Sequence, residues 1–229
     1  KRKNDAGIPA LYLVGNHDRY TRFNESGHSF NFVNVWSNEL PLVTVMDKRD
    51  QYNIIINNKT VTIHAIPAEF EVGSNLGLSS SEFNIIALHS LLNGTHFQNG
   101  QLVSDGLTPG VIDLPWADMV IAGDNHKYQQ LPLVYTKGWY TGAPMQHNWG
   151  DAGELRGISV FRIIKDTSGT KVEHEFVESV APKFLQFDFN WSGDREFLEE
   201  LNVVAGALKG HMVRIILHGK SDSLASVDR

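Results

Sequence analysis

Side chains that could bind a metal or move a proton follow three apolar segments of this chain. They are Asn16, His17 and Asp18 after residues 8–15, His89 after residues 83–88, and Asp124 with His126 after residues 117–123. Open α/β sheets carry their chemistry where buried strands end, so this spacing predicts that the three groups converge. Imidazole and carboxylate ligands together suit Mn, Fe or Zn better than Ca. A surface turn at residues 15–18 and a structural role for each lone histidine are the alternatives.

The first group combines side chains with different chemical roles. The amide oxygen of Asn16 is a hard ligand for a divalent metal, and the imidazole of His17 can reach the same substrate. Asp18 can fix the tautomer and orientation of the His17 ring. Arg19 follows directly and is a candidate phosphate contact, with a solvated surface arginine as the alternative.

Three short motifs in this order resemble those of the calcineurin-like metallophosphoesterases. They are Gly-Asn-His-Asp (15–18), Leu-His-Ser (88–90) and Gly-Asp-Asn-His (123–126). The segment 140–157, which contains Tyr-Thr-Gly-Ala-Pro-Met-Gln and Asn-Trp-Gly-Asp-Ala-Gly-Glu-Leu-Arg-Gly, is similar to the stretch after the last metal motif of SbcD-type nucleases. The similarity extends from about Leu11 to Phe161. Gly-Asn-His-Asp and the segment 140–157 are specific, whereas Leu-His-Ser is weak evidence alone.

The resemblance implies an α/β fold, the metallophosphoesterase β-sandwich flanked by helices. Residues 1–180 would form the nuclease domain and residues 181–229 the start of a small α+β capping domain that selects DNA. It also implies two divalent metal ions, with Mn²⁺ favoured and Mg²⁺, Fe²⁺ or Zn²⁺ as alternatives. Asn16, His89 and Asp124 would then bind the second metal and His126 the first, while His17 with Asp18 would be catalytic and Arg19 would bind substrate.

The chain departs from the family pattern in two places. Family members carry Asp-x-His and Gly-Asp-x-x-Asp before Gly-Asn-His-Asp, but only residues 1–14 precede Gly15 here. We therefore expect a fragment whose domain is incomplete at its N-terminus, and whether it is active alone stays open. Asp124 stands where the family usually has His. A carboxylate still ligates and favours a harder ion such as Mn, although a degenerate site is the alternative.

Three functions remain open from the sequence. The resemblance favours the nuclease subunit of an SbcCD-like complex that hydrolyses phosphodiester bonds in DNA-end processing, repair or phage recombination. Its partners would be DNA and an SbcC-type ATPase, with homodimerisation as a further expectation and no membrane contact. The alternatives are a calcineurin-like phosphatase or phosphodiesterase with a non-DNA substrate, and a non-catalytic partner-binding domain.

Composition restricts these alternatives. With 229 residues, 41% hydrophobic and 20% charged, the chain suits one globular domain with a small appendage. No apolar run approaches the length of about 18 residues that a transmembrane helix requires. The absence of Cys excludes disulfides and thiolate metal sites and is compatible with the cytoplasm that we expect. The net charge of −6 argues against strong autonomous DNA binding.

Alternating residues predict further elements. Residues 53–66 predict a hairpin with a turn at Asn57-Asn58, and His64 on its second strand is expected to be structural or to lie at the rim of the site. Residues 157–164 and 171–177 predict a second hairpin that closes the sandwich. Residues 183–189, 197–209 and 212–219 predict a strand, a helix and a strand. Residues 19–40 are expected to form a helix or loop beside the cleft.

Overall fold

We describe residues 8–20, 30–31, 42–68, 76–190, 199, 202–203, 205–206 and 208–219 of a computed structural model of the chain. The strands are, in chain order, β1 (Ala10–Leu13), β2 (Arg19–Tyr20), β3 (Phe30–Asn31), β4 (Val43–Met46), β5 (Asp50–Ile56), β6 (Lys59–Ile66), β7 (Phe83–His89), β8 (Met119–Gly123), β9 (Gln129–Gln130), β10 (Gly138–Tyr140), β11 (Gly157–Asp166), β12 (Gly169–Glu178), β13 (Phe184–Asn190) and β14 (Met212–His218). Three single-turn 3₁₀ helices are η1 (Asn16–Asp18), η2 (Pro109–Val111) and η3 (Trp149–Asp151). The expected helix or loop at 19–40 lies outside the described residues, except for the short pair β2–β3.

A six-stranded mixed sheet is the largest sheet among the described residues. Its strand order is β5-β6-β7-β8-β10-β9, and the four strands β6, β7, β8 and β10 run parallel to one another. The outer strands β5 and β9 pair antiparallel with β6 and β10. Because β6, β7, β8 and β10 are parallel, the segments that follow them emerge at one edge of the sheet.

The inner strands are buried on both faces because both faces are covered. β6 is buried from Val61 to Ile66 and β7 from Phe83 to Leu88. The polar residues within these runs, Thr62, His64 and Asn84, are buried as well. One face carries a core that includes Ile86, Leu88, Leu92, Ile112, Val120 and Tyr140. The other face carries a core that includes Met46, Ile63, Ala65, Ile85, Met119 and Trp139.

β1 brings the first predicted motif to the same edge of the sheet. β1 pairs in parallel with β4, and Leu11 and Leu13 pack against the second core. Beyond its end, the amide of Val14 donates to Met46 O at 3.2 Å, and the amide of Ala68 donates to Val14 O at 3.1 Å. Since Ala68 follows β6, these bonds fix the exit of β1 beside the exit of a central strand.

Both predicted hairpins are confirmed. β5 and β6 pair antiparallel from Asp50–Ala65 to Ile56–Lys59, with the turn at Asn57-Asn58. β11 and β12 form the second hairpin around Thr167-Ser168. Phe161, Ile163 and Val172 of this hairpin pack against the second core, so it covers one face of the central sheet.

The predicted α/β sandwich flanked by helices is wrong for this chain. The described residues form one six-stranded and four two-stranded sheets, and their helical segments stay shorter than seven residues. The connection from β7 to β8 shows the physical reason. It contains Gly94, Gly100, Pro109 and Pro115, and both Gly94 and Gly100 have a positive φ (83° and 81°). Such residues interrupt helices, so this connection covers the first core with turns and one 3₁₀ helix.

The structure divides into two compact units, residues 1–142 with 159–176 and residues 143–158 with 177–229. In the second unit β13 and β14 pair in parallel over seven residues. Between them, residues 199, 202–203, 205–206 and 208 are helical, so the predicted strand–helix–strand is confirmed where it is described. The functional division into residues 1–180 and 181–229 stays a prediction. Among the described residues, no helix has the length and apolarity needed to cross a membrane.

Candidate metal site

Three strand exits meet at one edge of the central sheet, all within the first unit. η1 follows β1 and carries Asn16 and His17, His89 is the last residue of β7, and Asp124 directly follows β8. β7 and β8 are adjacent and parallel, with His89 paired to Gly123. The predicted convergence of these segments is therefore confirmed for Asn16, His89 and Asp124.

His89 lies at the centre of this arrangement. Its Nε2 atom lies 3.3 Å from Asn16 Oδ1 and 3.6 Å from Asp124 Oδ1. About a fifth of its side chain is exposed (21%), so the ring is largely enclosed but open to a ligand on one side. Two side-chain oxygen atoms from distant parts of the sequence, Asn16 Oδ1 and Asp124 Oδ1, thus lie near one ring nitrogen.

Two glycines make room for the His89 ring. A Cβ atom added at Gly15 would lie 2.7 Å from His89 Cε1, and one at Gly123 would lie 2.9 Å from His89 Nδ1. Any larger residue at either position would displace the imidazole. Gly15 and Gly123 therefore form the two walls of a slot that sets the ring's position.

Burial is the main cause that lowers the pKa of His89, and the neighbouring imidazoles of His17 and His126 act in the same direction. The nearby carboxylates of Asp124 and Asp18 act in the opposite direction without reversing the shift. The neutral imidazole is consequently favoured near neutral pH. A neutral imidazole nitrogen is the form that binds a metal.

Asp124 has an unusual backbone conformation. Its φ is 84°, in the left-handed region that residues other than Gly seldom adopt. The next residue, Asn125, is buried and anchors the loop: its Nδ2 donates to His96 O at 3.0 Å, and its Oδ1 accepts from Lys127 N at 3.0 Å. Residues with such a backbone conformation cluster at functional sites.

Two of the donor separations at His89 can be compared with those around a divalent cation. Donors bound at about 2.1 Å on adjacent corners of an octahedron or tetrahedron lie roughly 3.0–3.4 Å apart. The separations of Asn16 Oδ1 and Asp124 Oδ1 from His89 Nε2 are close to this range. In the part of the chain that the structure describes, His, Asp and Glu alone form no group of three that could hold a metal. A metal site built on His89 and Asp124 would therefore need a third donor of another type, such as the carboxamide oxygen of Asn16.

The other predicted site residues have different surroundings. His126 is exposed and close enough to His89 for its charge to affect that residue's pKa. His17 is exposed, and its main-chain amide donates to Asn16 Oδ1 at 2.9 Å. The backbone of Arg19 lies in β2, but its side chain is outside the described residues.

Asp18 makes contacts that differ from the predicted support of the His17 ring. Its Oδ1 accepts a hydrogen bond from the Tyr12 hydroxyl at 3.0 Å, and its Oδ2 accepts one from the Gly15 amide at 2.8 Å. Both oxygens thus hold the turn that contains the motif. Tyr12 was missed by sequence reasoning, and an alternating strand position is its only sequence signal. Gly15 and Gly123 stand in the motifs, but motif spacing alone does not reveal the slot that they form.

His64 is buried, as expected for a structural residue. Its Nε2 lies 3.0 Å from Asn84 Oδ1, and its ring lies 4.8 Å from that of Trp116. Asn84 Oδ1 also accepts from Ser79 Oγ at 2.9 Å. These contacts give His64 a role in packing β6 against β7.

No protein-family model matches this chain, and a search of curated proteins finds no significant match. The motifs and the geometry of the strand exits are consequently the basis for any functional assignment.

Proposed function

We propose that this chain is the nuclease subunit of an SbcCD-like complex, a metal-dependent hydrolase of phosphodiester bonds in DNA. The observation that carries the proposal is the approach of Asn16 Oδ1 and Asp124 Oδ1 to His89 Nε2, at 3.3 and 3.6 Å. These residues are far apart in the sequence, so local turn formation does not account for their meeting. The resemblance of the three motifs to SbcD-type nucleases supplies the chemical context.

In this proposal Asn16, His89 and Asp124 hold one divalent ion, and His126 contributes to a second. When bound, such ions supply Lewis-acid stabilisation of phosphate oxygens and lower the pKa of an attacking water. Mn²⁺ is favoured because the donor set mixes one imidazole with amide and carboxylate oxygens.

His17 is the proposed general acid. It lies next to Asn16 and is exposed, so its imidazole is accessible to a phosphodiester substrate. Protonation of the leaving sugar oxygen by a positioned side chain contributes about 10²- to 10⁴-fold to the rate. Arg19 is proposed to contact phosphate, and Asp18 fixes the turn that carries the acid.

The proposed partners are duplex DNA and an SbcC-type ATPase in the cytoplasm, with a homodimer as a further expectation. The segment 140–157 and the strand–helix–strand of the second unit support this assignment through their resemblance to the nuclease family. The net charge of −6 means that a partner subunit would supply much of the attraction to DNA.

A second candidate is a phosphodiesterase or phosphatase with a non-DNA substrate. The net charge of −6 favours it, because a polyanion would be repelled unless the chain carries a local basic patch. The metal site and the role of His17 would be the same in both cases. The two candidates therefore differ in substrate and not in chemistry.

A titration with Mn²⁺, followed by the electron paramagnetic resonance signal of the free ion, tests the metal site. We expect saturable binding by the 229-residue chain and an affinity at least about tenfold lower for Asn16→Ala and for His89→Ala, equivalent to about 1.4 kcal/mol. His218→Ala is the matched control, because it removes a histidine that lies 3.1 Å from Asp188 on the exposed surface of the second unit. An equal loss in His218→Ala, or no binding by the unaltered chain, contradicts the proposal.

The same samples test the reaction. With Mn²⁺ present, linear duplex DNA should be cleaved, and His17→Ala should reduce the rate about 10²- to 10⁴-fold while leaving the Mn²⁺ affinity within about twofold. Hydrolysis of bis(p-nitrophenyl) phosphate without DNA cleavage would support the second candidate. Metal binding without either activity in the full-length protein would support the non-catalytic domain.

A further inference from the structure

Tyr12 links the end of β1 to the motif that follows it. Its neighbours Leu11 and Leu13 pack against the second core, so strand alternation directs Tyr12 to the opposite side. There its hydroxyl donates to Asp18 Oδ1 at 3.0 Å. The Tyr12 side chain is 40% exposed, so it packs only partly against other residues, and its hydroxyl contact with Asp18 is a separate part of its role.

The second oxygen of Asp18 closes a ring of hydrogen bonds. Asp18 Oδ2 accepts from the Gly15 amide at 2.8 Å, and the Asp18 amide donates to Gly15 O at 3.2 Å. Asn16 and His17 lie between these two anchored residues. Asp18 thus ties the two ends of the turn η1 together, and the Tyr12 hydroxyl in turn holds the carboxylate of Asp18.

The direction of the Asn16 side chain depends on this turn. Asn16 is exposed, and its carboxamide is held against the turn by the hydrogen bond that its Oδ1 accepts from the main-chain amide of His17. Its Oδ1 atom is 2.9 Å from the His17 amide and 3.3 Å from His89 Nε2. A rotation of η1 would move this oxygen away from His89.

The Tyr12 hydroxyl can act as a donor throughout the neutral range. Partial burial is the main cause that raises the pKa of Tyr12 to about 12, and the hydrogen bond to Asp18 adds to the shift. The proton therefore stays on the phenol oxygen, and the carboxylate of Asp18 accepts it in a charge-assisted bond.

We propose that Tyr12 is a positioning residue that holds η1 through Asp18 and so directs the carboxamide of Asn16 towards His89. This inference rests on the proposed metal site, because its consequence for function is the placement of one metal donor.

Tyr12→Phe tests the inference, because it keeps the ring and removes the hydroxyl. We expect the Mn²⁺ dissociation constant to rise about three- to tenfold, the range for loss of one hydrogen bond. The midpoint of thermal unfolding should fall by no more than about 4 °C. Tyr135→Phe is the matched control, since Tyr135 is 73% exposed on another loop.

A double-mutant cycle separates positioning from a general structural effect. If Tyr12 acts through Asn16, Tyr12→Phe should not weaken Mn²⁺ binding further in the Asn16→Ala background. Additive losses would overturn the inference while leaving the metal site in place. Failure of the unaltered chain to bind Mn²⁺ would instead contradict the proposed function.

A metal-independent measurement tests the turn itself. Hydrogen exchange at the Gly15 amide, followed by NMR, should accelerate at least about threefold in Tyr12→Phe, because the Asp18 carboxylate that protects it loses its second anchor. Unchanged exchange at Gly15 would overturn the inference whether or not the chain binds Mn²⁺.

Discussion

At the scale of single residues, the candidate site depends on how little space surrounds His89. Gly15 and Gly123 limit the ring on two sides, because a Cβ atom at either would approach it within 2.7–2.9 Å. Asp124 contributes a carboxylate from a backbone conformation that usually belongs to glycine. Glycine thus occupies the two positions that border the His89 ring. Asp124, in contrast, occupies a position whose backbone conformation would strain glycine less.

Replacement of Asp124 by glycine should separate stability from metal binding. The φ of 84° costs an L-residue roughly 1–2 kcal/mol, so Asp124→Gly should raise the free energy of unfolding by about 0.5–1 kcal/mol after the larger chain entropy of glycine is subtracted. The same change removes a proposed donor and should weaken Mn²⁺ binding at least about tenfold. Urea denaturation and Mn²⁺ titration measure the two effects.

Asn125→Gly provides the control for this prediction. Asn125 is buried and its side chain makes two hydrogen bonds, so its replacement should lower stability. A loss of stability in both variants would show that the left-handed conformation at Asp124 is not a source of strain.

The metal-binding candidates could be predicted from sequence because each follows an apolar run. Strand exits converge whenever the strands are parallel and adjacent, as β7 and β8 are. The contact between Tyr12 and Asp18 could not be predicted in this way. It depends on the path of the chain through η1, which residue spacing does not specify.

At the scale of elements, the hairpin β5–β6 supports the centre of the sheet. Asn57 and Asn58 both have a positive φ, 50° and 61°, which defines a turn of type I′. This turn matches the right-handed twist of the two strands. Because β6 also pairs with β7, a change in the turn affects a strand that lies in both cores.

The second turn position should prefer glycine. Asn58→Gly relieves the remaining strain at a φ of 61° and should raise the free energy of unfolding by roughly 0.5 kcal/mol, whereas Asn58→Val should lower it by about 1–2 kcal/mol because a β-branched residue is poorly accommodated there. Urea denaturation of both variants measures the difference. Equal stabilities would contradict the I′ assignment.

The strands and hairpins could be predicted because their signals, the alternation of apolar and polar residues and the turn-forming residues between them, lie within a few positions of one another. The flanking helices came from the resemblance and not from these residues, and they were wrong. The connection with Gly94, Gly100 and Pro109 has the composition of a loop, so its own residues indicate the structure that forms.

At the scale of the whole molecule, the second core of the first unit extends into an aromatic cluster around His174. Its ring centroid lies 4.8 Å from that of Phe161, 5.1 Å from Trp139 and 5.4 Å from Tyr128. The Nδ1 atom is 3.2 Å from the Tyr128 hydroxyl. The Nε2 atom is buried and has no hydrogen-bond partner among the described residues. These apolar and aromatic surroundings favour the neutral form of the His174 ring.

The cluster should make the stability of the chain depend on pH. Burial lowers the pKa of His174 in the folded state, whereas an unfolded histidine titrates near about 6.5. Below that pH the unfolded chain binds more protons than the folded one, so the free energy of unfolding is highest above it and declines as the pH falls towards the folded value. In His174→Phe the decline between about pH 7.5 and 5.5 should be smaller than in the unaltered chain.

Urea denaturation at a series of pH values measures this difference. Part of the decline should remain in His174→Phe, because burial also lowers the pKa of His89. His96→Gln removes an exposed histidine of the same unit and serves as the control. An identical decline in His174→Phe and the unaltered chain would show that the aromatic cluster accepts the imidazolium without cost, in conflict with the buried Nε2 atom.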